Sequence, residues 1–270
     1  MVKYHYNTLE DKTKIPDDCT EFYCYNYKLT ELPELPNLLE ILWCENNILT
    51  SLPKLPKSIK RLICGFNNLT ELPELHDSLI ILWCSSNKLI KLPKLPGSII
   101  ELRCSNNNLT ELPELPDSLV SLNCSNNNLI ELPELPISLI RLYCSDNNLI
   151  ELPKLPKSLI QLLCNNNNLT ELPELPILLK RLSCGNNKLI ELPELPNLLI
   201  YLFCGDNKLT ELPELPMTLK ELMCKNNNIK YLSPNNCEIM KNGCELTVLN
   251  NPFSADFSDN DDFKEYLMNF

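Results

Sequence analysis

The chain has 270 residues, a net charge of −11, 14 cysteines, 22 prolines and only five glycines. Such acidity repels nucleic-acid phosphates and anionic membranes, so neither is an expected partner, and no run of about 18 apolar residues offers a membrane-spanning helix. The two histidines, His5 and His76, have no ligand or triad neighbour at a useful spacing, and there is no glycine-rich phosphate loop. The sequence is therefore read as non-enzymatic, with no cofactor and no metal.

Residues 1–28 read as an N-terminal cap with a degenerate first repeat. The opening MVKYHYNTLEDKTK holds no apolar run fit for a signal peptide, which points to a soluble, cytoplasmic protein. From Ile15 onward Pro16, Phe22, Cys24 and Leu29 keep the phase of the repeats C-terminal to them, while Cys19 stands for a leucine and Tyr27 for an asparagine.

Residues 29–230 are one motif copied with a period of 20, marked by a cysteine at every twentieth position from Cys24 to Cys224. A constant period of this length is the mark of a solenoid, whose units bury their apolar faces only against each other. In the unit that starts at Leu39, alternation over Ile41–Glu45 predicts a half-buried strand with Leu42 and Cys44 pointing inward. Pro53 and Pro56, three apart in the return segment, forbid a helix there and predict an extended path close to polyproline II. The column Asn47, Asn67, Asn87, Asn107, Asn127, Asn147, Asn167, Asn187, Asn207 and Asn227 falls where the chain leaves each strand. An amide that both donates and accepts, and that tolerates unusual backbone angles, suits a buried ladder between rungs; an alanine there should cost about 1–3 kcal/mol.

The ladder cysteines are read as small hydrophobes in a narrow core. Rungs about 4.8 Å apart place each thiol between two equivalent neighbours, so all eleven cannot pair. A metal column would need thiolates in a tetrahedral set where leucines surround them. Cys237 and Cys244, outside the ladder, are the pair for which a disulfide stays open.

Inward positions barely change along the chain, whereas the middle outward column reads Tyr23, Trp43, Ile63, Trp83, Arg103, Asn123, Tyr143, Leu163, Ser183, Phe203 and Met223. Tyr25 and Phe66 extend an aromatic patch over the first rungs, and Tyr143, Leu163, Tyr201 and Phe203 make a second. Large rings on an open sheet face are typical anchors for a protein partner, or for a second copy of the same chain. The alternative is that such residues pack along their own column with no ligand. Rows of glutamates from Glu111 to Glu214 read as a solvated face, and Arg61, Arg103, Arg141 and Arg181 form no continuous basic stripe. His76, in the place of a repeat proline, is expected to loosen its return segment.

Residues 231–270 read as a C-terminal capping segment. Asp259 opens a short acidic helix with Phe263, Tyr266, Leu267 and Phe270 at helical spacing, which should close the last rung.

The pattern LxxLxCxxNxL, followed by LPxLPxx, resembles the leucine-rich repeat signature with cysteine in a leucine position. The period of 20 and the LPxLPxxL return segment are similar to the short repeat class of bacterial effectors of the YopM and IpaH type. The resemblance covers residues 29–230. It implies a horseshoe or superhelix with a parallel concave sheet and convex extended segments, and protein binding on the concave side, which would hold Tyr23, Tyr25, Trp43, Ile63, Phe66, Trp83, Arg103, Tyr143, Leu163, Tyr201 and Phe203. Effectors of the IpaH type carry a ubiquitin-ligase domain after their repeats. Only residues 228–270 follow the last asparagine of the column, so such a domain is read as absent. The function expected is an effector-like scaffold for an unidentified protein partner. The alternative is a substrate-recognition adaptor for a ubiquitin ligase, or a kinase platform, supplied in trans. Near-identical units rich in asparagine, isoleucine and lysine suggest recent duplication in an AT-rich genome, as in leucine-rich repeat proteins of giant viruses or protists; the compartment would then be a host cytoplasm.

Overall fold

A computed structural model describes residues 2–8, 14–242 and 244–268; Phe270 lies outside them. The chain forms two units, Met1–Leu129 and Ile130–Phe270. Both are stretches of parallel β-solenoid with little helix, and the thirteen strands follow chain order.

In the first unit the strands are β1 (Lys3–His5), β2 (Glu21–Tyr23), β3 (Ile41–Trp43), β4 (Arg61–Ile63), β5 (Ile81–Trp83), β6 (Glu101–Arg103) and β7 (Ser121–Asn123). In the second they are β8 (Arg141–Tyr143), β9 (Gln161–Leu163), β10 (Arg181–Ser183), β11 (Tyr201–Phe203), β12 (Glu221–Met223) and β13 (Glu245–Thr247). Among the described residues the α-helices α1 (Pro234–Lys241) and α2 (Asn260–Met268) flank β13.

Pairing from β2 to β7 and from β8 to β12 advances by whole periods, as in Tyr23↔Trp43↔Ile63↔Trp83↔Arg103↔Asn123. Each strand is only three residues long, so much of the rung-to-rung hydrogen bonding comes from the segment after it. Cys64 N–H donates to Trp83 O at 2.8 Å, and Asn68 N–H donates back to Leu49 O at 2.8 Å. Alternation does its expected work inward: Leu42, Cys44, Leu62, Cys64 and their counterparts are fully buried. The return segments carry neither helix nor strand and end in a tight turn, in which Leu119 N–H donates to Pro116 O at 3.0 Å. His76 does not loosen this turn. Leu79 N–H reaches His76 O at 3.0 Å, as in the proline rungs, and the ring lies 3.1 Å from Leu55 O.

Three polar columns run along the stack. In the first, Asn107 Oδ1 accepts from Leu89 N–H at 3.0 Å while Nδ2 donates to Cys84 O and Cys104 O, both at 3.1 Å. Asn67, Asn87, Asn167, Asn187 and Asn227 repeat this pattern, and Asn47 accepts two amides, of Tyr27 and Leu29. Asn251 continues it after β13, donating to Cys224 O at 2.9 Å. It escapes a 20-residue count because α1 stretches that step to 24, with Leu222 opposite Leu246.

The second column occupies the residue before each ladder asparagine. That neighbour, not the ladder residue, takes the left-handed backbone, with φ near 55° at Asn46, Asn106, Asn126, Asn166 and Asn226. In the third, Ser58, Ser78, Ser98 and Ser118 donate to the carbonyl of Leu39, Ile59, Leu79 and Ile99 at 2.6–2.7 Å. Each is one hydrogen bond on a half-buried rim, so Ser98→Ala should lower stability by about 0.5–1.5 kcal/mol, read from the urea midpoint.

All 14 cysteines are free thiols, Cys237 and Cys244 included. Burial pushes Cys24, Cys124 and Cys184 up to about 12, and lifts Cys64 and Cys104 well above the usual range with help from neighbouring ladder thiols. At the C-terminal end, Ser233 caps α1 by accepting from Asn236 N–H, with Pro234 at its first position. Phe263 and Leu267 of α2 are buried, with Phe253 and Phe257 edge-on to Phe263.

Candidate interaction face

The first and third residues of each strand leave the core and build the open face of the sheet. In the first unit the third residues of β1 to β3 form a ring row, followed by Ile63 and then Trp83. His5 stacks on Tyr23 at 5.0 Å, and Tyr23 and Tyr25 meet Trp43 at 6.0 and 5.5 Å. Tyr25 and Phe66 are exposed, at 39% and 57%, while Tyr23, Trp43 and Trp83 are half-buried.

Ile63 departs from the expectation of an accessible anchor, with only 6% of its surface exposed. It sits opposite Trp43 on one side and Trp83 on the other, and two indoles one rung away cover an aliphatic side chain between them. The rings thus pack along the column and still present part of their surface.

Charge is arranged around the rings. Glu21, buried at 3% exposure, accepts from Lys3 Nζ at 2.8 Å and Tyr23 OH at 2.7 Å. The Lys3 bond holds the Glu21 carboxyl below its usual range, and burial raises the Tyr23 phenol. Trp43 Nε1 donates to Glu45 at 3.1 Å and Trp83 Nε1 to Glu101 at 3.1 Å. Arg103 lies with Cζ 4.1 Å from the Trp83 ring centroid.

In the second unit Tyr143 OH donates to Gln161 at 2.6 Å, Leu163 is half-buried, and Arg181 lies over Tyr201 and Phe203 at 5.3 and 5.1 Å. Glu45, Glu101 and Gln161 are hydrogen-bond partners of the rings that the ring pattern alone does not bring out. Glu45 and Glu101 were within reach of period-two counting, being two residues from Trp43 and from Arg103 on the same strand face. Among the described residues no three His, Cys, Asp or Glu side chains gather as a metal set, and no helix is long and apolar enough to cross a membrane.

YopM from Yersinia enterocolitica WA-314 has the same fold with a TM-score of 0.76 and 36% identity, over 88% of this chain and 57% of that one. YopM from Yersinia pestis, a leucine-rich effector protein, gives 0.69 and 34% over 88% of this chain and 80% of that one. The functional domain of InlJ from Listeria monocytogenes, which includes a cysteine ladder, gives 0.68 and 26% over 87% and 53%. The chain therefore spans little more than half of the first and third of these. No protein-family model and no curated protein matches it.

Proposed function

Because this chain belongs to the leucine-rich repeat proteins and is of the YopM type, we propose that it is a non-enzymatic scaffold that holds a partner protein on the open face of its sheet. The observation that carries this reading is the contrast between the two sides of each strand. Inward positions are leucine and cysteine at nearly every rung, with Phe22 and Val248 as exceptions, while outward positions change from rung to rung and gather tyrosine, tryptophan and phenylalanine. Exposed rings beside half-buried ones give a partner rigid apolar area at little entropic cost. The acidic surface favours a basic protein over nucleic acid or membrane. Fourteen free thiols suit a reducing compartment, which supports a cytoplasmic setting.

Affinity purification with the wild-type chain beside a Trp43→Ala/Trp83→Ala double variant tests the reading. The variant should keep its far-UV circular dichroism and retain the partner at least about tenfold more weakly. Equal retention by both would remove the aromatic face as the binding surface. A kinase or ubiquitin ligase in the bound fraction would assign the scaffold an adaptor role.

A further inference from the structure

The Trp83 rung contains a finished ring–carboxylate–cation unit. Arg103 pairs opposite Trp83, its guanidinium lies over the indole at 4.1 Å, and its Nε donates to Glu101 Oε1 at 2.7 Å. Trp83 Nε1 donates to that same oxygen at 3.1 Å, so one carboxylate fixes both the ring and the cation.

Two rungs earlier the first half of this unit recurs. Trp43 Nε1 donates to Glu45 Oε2 at 3.1 Å, but the residue opposite Trp43 is Ile63, which has no charge to offer. Here the surface opens into a groove of about 440 Å³ lined by Tyr25, Asn26, Trp43, Glu45, Asn46 and Phe66. Glu45 is the one carboxylate of its lining, in a chain whose net charge is −11.

Phe66 supplies an independent sign. Its φ is 51°, in the left-handed turn that other rungs fill with Asn, Asp or Ser, such as Asn46, Ser86, Asn106 and Asp146. A bulky ring disfavours that backbone, and with 57% of its surface exposed the ring gains little from burial in return. In unit two the same column is a chain of side-chain hydrogen bonds, as from Asn166 to Asp146 and Asn186 to Asn166. Phe66 gives up that bonding to put a third ring on the groove, and strain held in this way gathers where a ligand binds.

We infer that the Tyr25–Trp43–Phe66 groove is a subsite for an arginine side chain of the partner protein. Its guanidinium stacks on Trp43 and pairs with Glu45, completing in trans what Arg103 completes at Trp83. Arginine fits better than lysine because its planar fork can lie on a ring and meet a carboxylate edge-on at once. The inference rests on the scaffold reading and names the chemistry of its partner.

The test uses Trp83→Phe, which leaves Trp43 as the sole tryptophan of the two in the chain. Acetyl-Gly-Arg-Gly-amide is titrated against its citrulline and lysine analogues, with Trp43 fluorescence and the indole N–H resonance as readouts. The arginine peptide should give a saturable change, and the citrulline peptide, neutral but of the same shape, should bind at least about tenfold more weakly. Glu45→Gln should weaken the arginine peptide by about tenfold. Phe66→Asn should weaken it similarly while raising the thermal midpoint, because asparagine suits the left-handed turn; a merely structural Phe66 would not split the two readouts. Equal binding of arginine and citrulline peptides, or no saturable response up to about 20 mM, overturns the subsite. Loss of partner retention in the double tryptophan variant alongside a silent arginine titration would leave the scaffold reading standing and remove this one alone.

Discussion

Raising the pH from 9 towards 10.5 should unfold the chain. Ten ladder thiols, Cys24 to Cys124 and Cys164 to Cys224, have their ionisation pushed upward mainly by burial, to about 12 for Cys24, Cys124 and Cys184 and well above the ordinary value for the others. In the unfolded chain they titrate near the ordinary value of 9.0. The folded value lies above the unfolded one, so the stabilising contribution is complete below pH 9 and is lost as the pH climbs towards the folded value. At pH 10 each unfolded thiol gains about 1.4 kcal/mol by ionising, and ten together oppose the fold by an amount on the order of 10 kcal/mol. That is comparable to the whole stability of an ordinary domain. Circular dichroism against pH should show loss of structure in this window. Val248 is fully buried in the position that cysteine holds in the earlier rungs, so valine fits there. Replacing Cys64, Cys84 and Cys104 by valine should move the transition upward by a few tenths of a pH unit, about three-tenths of the linked protons being gone. A chain still folded at pH 11, or a transition unmoved by the valines, would show that the thiols do not carry the effect.

Asn107→Ala should cost about 3 kcal/mol, the largest loss expected from truncating one polar side chain here. It leaves Leu89 N–H with no acceptor and removes the donor to Cys84 O and Cys104 O, all in the buried interior. Asn107→Asp should be worse at neutral pH. The new carboxylate can still accept from Leu89 but would face two carbonyl oxygens, so its folded-state pKa is raised and its ionisation opposes folding. Stability of that variant should therefore rise as the pH is lowered from 7 towards 4, the same sign as in the thiol window but several pH units lower. Urea unfolding at pH 7 and pH 5 measures both effects. An aspartate variant as stable as wild type at pH 7 would mean that the donor side of the ladder is unimportant. The chain itself separates the two positions: Asp146 and Asp206 occur in the left-handed column next door, while the ladder places hold asparagine.

The inner half of this molecule can be read directly from the residues, because burial there depends on period and alternation alone. Leu62 and Cys64 are inward for the same reason as Leu182 and Cys184. The outer face depends on neighbours 20 residues away, which no local window contains. Ile63 looks like an accessible anchor until the rungs on either side place indoles over it, and Trp83 is claimed by Arg103. The left-handed turn sits one residue before the asparagine that draws the eye, since the amide ladder needs an ordinary backbone and hands the unusual angle to its neighbour. Helix α1 was within reach, as Ser233 followed by Pro234 is a capping signature, but it lies beyond the periodic region that dominates the pattern. Asn251 falls outside the 20-residue column because of the longer step that α1 imposes, although the Leu246–Phe253 segment resembles the ending of a leucine-rich repeat array.

Rungs that are nearly interchangeable carry a hazard during folding. A strand that docks one whole period out of place meets the same leucines, the same thiol and the same amide acceptor, so the misthreaded stack is barely penalised in its middle. Besides outward contacts such as Arg103 on Trp83, the irregular end of each unit tells the difference: in the first Lys3 finds Glu21, and in the second the 24-residue step to β13 fits one rung and no other. Shortening or exchanging those ends should therefore do more than expose an edge. It should leave the stack unable to count.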